Sequence, residues 1–492
     1  MARNLKRKAA TGMIWTALQK YSTMFISFIS GIILARLLTP YDYGCIGMLS
    51  IFMVLAESFI DGGFGSALIQ KKRPTQEDYS TIFFWNIGMA ILLYAILYFS
   101  APYIAQFYKI PLLCDVLRVQ GMILFIYAFN LVQRNQLQKK LNFKVLSKVT
   151  IATSIISLTI TIIMAYNGYG VWSLVTQYIL TALIPALAFW FFIKWRPQLI
   201  FSWKSFRELF SFGFYMFLTN LLNQFGQQLQ GLLIGKLYNP STMGFYSKAH
   251  GTEKLASTSI GSVMTQVTYP LYAEAQDNKE QLRNMIKRIT MTLSFITFPL
   301  MFILILCAKP IFVLLYSDRW LESVPYFQVL CLSGLAYSLQ SVNNQSIAAV
   351  GKSRAMFVWT IVKRVIGISM IVVGLVTWGM NGLLAGVVLG IWSAYFINIS
   401  LVSRYIGYKW TEQIYNIMPI TIASIVIAII TYGVSTYLKL PLYPDGIVKL
   451  LIYVTIYVGW SILFKPEAYK YFVSIIEPIL KKYKSGLSKN SK

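Results

Sequence analysis

Apolar runs of about twenty residues recur along nearly the whole chain, each closed by a short polar or basic segment. A helix needs roughly 20 residues to cross a hydrocarbon core about 30 Å thick. Fourteen runs meet that length, at 13–35, 44–68, 80–100, 113–133, 145–165, 170–193, 209–232, 244–268, 289–308, 322–348, 355–377, 382–402, 414–437 and 447–464. The pattern predicts an all-α integral membrane protein. Most of the 44 Lys and Arg residues fall in alternate connections. By the positive-inside bias, that places the N-terminus in the cytoplasm. Fourteen is even, so both termini are expected there.

The pattern also repeats. GIILARLLTPYDYG (31–44) aligns without a gap to GLLIGKLYNPSTMG (231–244) at an offset of 200. The turn has a local rationale: Thr39 or Asn239 caps the next helix, with Pro40 or Pro240 as its first residue. The matching of the flanking helices goes beyond that. Six runs separate equivalent points, so the two halves enter the membrane in the same direction, as parallel repeats. The expected organisation is an N-terminal lobe (1–200), a C-terminal lobe (201–405), two further helices (406–464) and a basic cytoplasmic tail (465–492). In that tail Phe472, Ile475, Ile476, Ile479 and Tyr483 stand among Lys470, Lys481, Lys482 and Lys484. That spacing reads as an interfacial helix on an anionic leaflet.

Polar residues inside the runs carry the candidate chemistry. An ionisable group at the bilayer centre costs about 2.5–3.5 kcal/mol, so such groups face water or one another. Lys20, Thr23, Ser27 and Ser30 share one face of the first helix, and Asn220, Asn223, Gln227 and Gln230 share the equivalent face of the seventh. Gln224 adjoins the latter. Glu57 and Asp61 lie one turn apart on the second helix; His250, Glu253, Lys254 and Ser257 lie on the eighth. Gln340, Asn343 and Asn344 lie on the tenth, and Lys363 and Arg364 lie about two turns into the eleventh. Two matched polar faces describe a hydrated central cavity. Interhelical packing by amides, snorkelling of Lys20, and lipid head-group contacts for Lys363 and Arg364 are the competing readings. Lys20 and Asp61, at similar depth on adjacent helices, are expected to pair in at least one state.

Composition narrows the class. Only 12% of residues are charged and 57% are hydrophobic, against about 25% charged in soluble domains. The net charge of +27 lies in clusters between apolar runs, which excludes a nucleic-acid stripe. Cys45, Cys114, Cys307 and Cys331 form no CxxC pair, so no metal site or disulfide framework is implied. Arg3, Lys6, Arg7 and Lys8 precede a full-length span, not a signal peptide.

At this point the chain resembles the polysaccharide transporter family of Wzx-type flippases, within the multidrug/oligosaccharidyl-lipid/polysaccharide exporter superfamily. ARLLTPYDYG, then ALIQKKRPTQEDYSTIFFWN (67–86), YPLYAEAQDNKEQLRNMIKR (269–288) and GKSR (351–354) carry the likeness. The resemblance implies two six-helix lobes that alternate in access and an undecaprenyl-diphosphate-linked oligosaccharide as substrate. It implies a bacterial inner membrane, membrane lipids and the pathway's polymerase and glycosyltransferases as partners, a monomer, no cofactor and no enzymatic activity. Lys20, Lys248 and Lys254 match by position the basic residues that the related lipid II flippase turns toward its substrate. With Lys363 and Arg364 they are the diphosphate candidates. Asn220, Asn223, Gln224, Gln227, Gln340, Asn343 and Asn344 suit sugar hydroxyls, being donors and acceptors. Glu57, Asp61, His250 and Glu253 are candidates for coupling or charge pairing. A drug exporter of the same superfamily remains the alternative. A membrane polymerase or glycosyltransferase is disfavoured by short loops, a single His and no DxD.

Overall fold

The caps read from the repeated motif, Thr39 and Asn239, are in place in the computed structural model. It describes residues 2–275, 278–474 and 477, all helix and connection with no strand among them. In chain order the helices are α1 (Ala2–Leu37), α2 (Pro40–Asp61), α3 (Phe64–Gln70), α4 (Gln76–Tyr108), α5 (Leu112–Gly121), α6 (Ile123–Lys139), α7 (Phe143–Tyr166) and α8 (Val171–Phe192). There follow α9 (Trp203–Leu237), α10 (Pro240–Glu274), α11 (Lys279–Leu306), α12 (Ala308–Tyr316), α13 (Ser323–Ala349), α14 (Ser353–Ile406), α15 (Trp410–Leu438) and α16 (Leu442–Phe464).

Among the described residues, ten segments are long and apolar enough to cross a membrane. They are α1 from Ile14, α2 with α3, α4, α5 with α6, α7, α8, α11, α14, α15 and α16. The chain is therefore a multi-pass membrane protein. The α14 segment is two helices, because Trp378 and Gly379 leave helical geometry. Gly379 sits at φ 60°, ψ −135°, a conformation that an L side chain resists. The two arms then pack through small residues: a Cβ on Gly374 would lie 2.1 Å from the Gly382 carbonyl oxygen. α9, α10 and α13 are as long as the others, yet too polar to join the ten.

The described chain forms two compact units, residues 1–247 and 248–492. In the first, α2 runs beside α9. At one end the Gly63 and Gly213 backbones touch; midway Ser50 Oγ donates to Gln228 Oε1 at 2.9 Å. At the other end the two copies of the repeated motif meet each other. Thr39 caps α2 in a capping box with Asp42, and Asn239 Oδ1 accepts from the Thr242 amide at 2.8 Å. A Cβ on Gly44 would fall 1.8 Å from the Pro240 carbonyl oxygen, and one on Gly244 would fall 1.8 Å from that of Pro40. The same contact is thus made twice, as around a local two-fold axis. Where α3 and α4 meet, Lys71 bridges the buried Asp78 and the exposed Glu208, each at 3.0 Å. Lys139 Nζ caps the α3 carbonyls of Leu68 and Ile69 at 2.9 Å.

In the second unit α11 is held by α15 and α16. Arg283 pairs with Glu412 at 2.7 Å, and Tyr457 donates to the Phe295 carbonyl at 2.9 Å. The chain after α16 folds back on α11: Lys287 pairs with Glu467 at 2.9 Å and Phe472 packs on Phe295. The described start of the tail is therefore docked on protein. Ile475, Ile476, Ile479, Lys481, Lys482, Tyr483 and Lys484, on which the interfacial reading rests, lie outside the described residues. Burial alone would raise the Glu467 pKa, but hydrogen bonds from Tyr471 and Lys287 outweigh it and hold it below the usual carboxylate value. A depressed pKa stabilises the docked form above the unfolded value and loses that contribution as pH falls through the folded one. Docking should be complete at neutral pH and weaken below about pH 4.5. Hydrogen exchange of residues 466–474 against pH, with Glu467→Gln already weakened at neutral pH, checks this.

Candidate functional site

Glu57 and Asp61 project from the same side of α2. The helix stops at Asp61 because Gly62 and Gly63 take φ values of 52° and 77°. The break turns the Asp61 carboxylate onto the next backbone amides: Gly63 N–H donates to it at 3.3 Å, and Gly65 passes it closely. Its other neighbours come from α6. Tyr127 lies within electrostatic reach of Glu57, Asp61 and Arg134, and the Asn135 amide flanks Gly65 beside Asp61. Lys20 is half-buried on α1, and the ion pairs among the described residues do not join it to Asp61. The expected pair is absent from this conformation. The reason is local: a carboxylate at a helix C-terminus beside two glycines finds backbone N–H donors before it finds another helix.

The polar face of α1 is divided. Ser27 and Ser30 line a cavity within the first unit, with Ser154 and Ser157 of α7 and Gln177 and Tyr178 of α8. On α9, Asn220 and Gln227 are exposed, Asn223 and Gln224 are half-buried, and Gln230 accepts from Tyr246 at 2.7 Å.

In the second unit Lys248 is 8% exposed, with its ammonium 4.1 Å from the Tyr316 ring centroid and 5.4 Å from that of Trp320. Glu253 is buried; one carboxylate oxygen has no hydrogen-bond partner and sits in the notch left by the missing side chain of Gly334. Lys254, Lys363 and Arg364 are all half-buried. Arg364 acts electrostatically on both lysines, and Lys363 Nζ is fixed by Asn398 Oδ1 at 2.8 Å. Arg364 is thereby within electrostatic reach of Lys254 on α10 and of its chain neighbour Lys363, and Lys254 also feels the Glu253 carboxylate. His250 is half-buried beside Lys254. The tenth-span amides part company: Gln340 donates to the Ile391 carbonyl at 2.6 Å, Asn343 is wholly buried with both polar atoms unpartnered, and Asn344 is half-buried. Asn343 is thus enclosed, whereas Gln340 is half-buried like Asn344 and engages only its amide N–H.

Two groups escaped the sequence reading. One is the polar run of α6 (Asn130, Gln133, Arg134, Asn135, Gln136), which continues the helix past residue 133 up to Lys139. The other is Ser154, Ser157, Gln177 and Tyr178, which look like isolated polar positions until α7 and α8 are folded against α1. Nothing in the linear pattern joins them.

Comparison with known proteins now adds to the geometry. The family described as polysaccharide biosynthesis protein matches residues 33–325. The chain belongs to that family. It is 26% identical over 358 residues to the teichuronic acid biosynthesis protein TuaB of Bacillus subtilis, covering 72% of this chain and 74% of that one. It is 21% identical over 443 residues to the lipopolysaccharide biosynthesis protein WzxC of Escherichia coli, covering 89% of each. Among solved structures, the lipid II flippase MurJ in an inward closed conformation superposes with a TM-score of 0.76 at 15% identity, over 92% of this chain and 98% of that one. An inward-facing multidrug resistance transporter of the MATE family superposes with a TM-score of 0.62 at 14% identity, over 80% and 98%. The two superpositions establish a shared membrane-transporter fold.

Proposed function

We propose that this protein moves a diphosphate-linked oligosaccharide on an isoprenoid lipid from the cytoplasmic to the outer leaflet of a bacterial inner membrane, for surface polysaccharide synthesis. The observation that carries the reading is the grouping of Lys254, Lys363 and Arg364 within membrane helices. Gathered cations in a low-dielectric region repel one another and are retained where an anion arrives between them. A diphosphate is that anion. Its sugars need hydroxyl-binding partners, which the half-buried and exposed amides of α9 offer. Its lipid needs an apolar path. A groove of about 1020 Å³ between α15 and α16, lined by Ile422, Val426, Ile430, Ile456 and Leu463, suits an isoprenoid chain.

In this reading the chain crosses the membrane fourteen times with both termini in the cytoplasm. α9, α10, α13 and both arms of α14 join the more apolar helices as crossings. Two six-helix repeats, divided near residue 200, alternate in access, and the substrate and membrane lipids are the binding partners. An inside-negative potential favours outward movement of the anion by about 2.3 kcal/mol per charge per 100 mV.

Deletion of the gene should deplete one surface polysaccharide and leave its lipid-linked unit on the cytoplasmic leaflet. Full polysaccharide without a redundant transporter would overturn the reading. The likeness to a multidrug resistance transporter supports a second reading, an exporter of the same fold. That reading gains if deletion changes only the efflux of dyes.

A further inference from the structure

The cavity of the first unit has a chemistry of its own. It measures about 260 Å³ and is walled by four helices, α1, α2, α7 and α8. Its lining interleaves polar groups (Ser27, Ser30, Ser154, Ser157, Gln177, Tyr178) with aliphatic ones such as Ile26, Ile46, Leu158 and Leu174. No Asp, Glu, Lys, Arg or His lines it.

The polar lining is only partly used by the protein. Gln177 Nε2 donates to Ser30 Oγ at 3.3 Å, which fixes the amide and leaves its carbonyl oxygen without a protein partner. Ser154 and Ser157 donate to the Thr150 and Ser154 carbonyls at 2.9 and 3.3 Å, so each hydroxyl oxygen still accepts. Ser30 and Ser157 are 7% and 1% exposed, Ser154 and Gln177 are half-buried, and Ser27 and Tyr178 are exposed, so the polar lining runs from the interior of the fold to its rim. Donors and acceptors interleaved with aliphatic groups match a molecule that carries both hydroxyls and C–H groups. The lining carries no charged group, and Glu57, which acts electrostatically on Tyr178, adds a negative field that disfavours an anion. The volume lies below the roughly 300–1,000 Å³ of sites for drug-sized ligands, so it takes one ring and not a chain.

We propose that this cavity is a binding site for a single uncharged sugar ring. It rests on the oligosaccharide-transport reading for its physiological ligand, as the place where one residue of the glycan is recognised apart from the diphosphate. Selectivity follows from the lining: a ring bearing carboxylate would be buried without a counter-charge. Specificity for the sugar unit then resides in the lining supplied by α1, α7 and α8.

The test uses the full chain in lipid nanodiscs, with methyl glycosides of common neutral hexoses at millimolar concentration as probes, followed by saturation-transfer difference NMR. At least one neutral glycoside should bind, and inorganic diphosphate should not displace it. Ser157→Leu, which fills the cavity, should reduce binding at least tenfold. Ser157→Ala and Gln177→Leu should reduce it several-fold with an unchanged thermal midpoint, which covers the case in which the filled variant fails to fold. Ser211→Leu, outside the cavity, should bind as the parent does. No glycoside binding, equal binding after filling, or displacement by diphosphate would each overturn the site. Because the readout needs no transport, glycoside binding in a protein whose deletion leaves all polysaccharides intact would keep the site and remove the flippase reading.

Discussion

Gly44→Ala and Gly244→Ala should each cripple the protein, and to a similar degree. Each added methyl would stand 1.8 Å from a prolyl carbonyl oxygen of the other motif copy, far inside contact distance. The obstacle is backbone at the first turn of a helix, which no rotamer change relieves. Overpacking typically costs about 1–3 kcal/mol, and here the alternative to strain is separation of the two motifs. Gly88→Ala and Gly251→Ala are the controls. Both positions are helical with nothing within 4 Å of a new Cβ, so alanine there should be neutral or stabilising by up to about 1 kcal/mol. Thermal unfolding in detergent and polysaccharide complementation read the effect. Because both substitutions part the same seam, the double variant should lose less than the two losses added together. Wild-type behaviour of either single variant would mean that the two copies do not need their close approach.

Removing cations from the second unit should separate stability from function. Lys254→Gln, Lys363→Met and Arg364→Gln are each expected to reduce export tenfold or more. The thermal midpoint should hold for Arg364→Gln, which relieves repulsion on both lysines, and fall for Lys254→Gln and Lys363→Met, which strip the buried Glu253 of a neighbouring cation and the buried Asn398 of its donor. Arg364→Gln carries the clearest expectation, because Arg364 acts on both of the other cations. Asn398→Leu removes the acceptor that holds the Lys363 ammonium at 2.8 Å and should lower export while leaving the charge in place. Equal loss of stability and export in all four variants would assign the group to folding alone.

The Asp61 environment illustrates where linear reasoning stops. Spacing put Glu57 and Asp61 on one face of α2, and the structure keeps them there. Spacing said nothing of the partner, because Gly62 and Gly63 end the helix at that point and α6 brings Tyr127 and Asn135 from more than sixty positions downstream. Lys20, the neighbour favoured by depth, is not within ion-pair range. In the same way the amides Gln340 and Asn343 read as cavity-lining. Packing adds what spacing does not show: the half-buried Gln340 donates to a main-chain carbonyl of α14, and Asn343 is enclosed.

What the sequence determined by itself is whatever depends on local chemistry and on the solvent. Apolar runs of membrane length set the helices, Thr39–Pro40 and Asn239–Pro240 set their caps, and the offset of 200 set the repeat. Each of these needs only neighbours along the chain, or the surrounding lipid, to be expressed. What only the tertiary structure decided is which polar groups meet. The reciprocal glycine contacts, the gathering of Lys254 with Lys363 and Arg364, and the neutral cavity between α1, α2, α7 and α8 all join residues distant in sequence. Their positions depend on helix rotation and crossing. In a chain whose helices are apolar over most of their surface, those are set by the close approach of small residues, which hydropathy does not register.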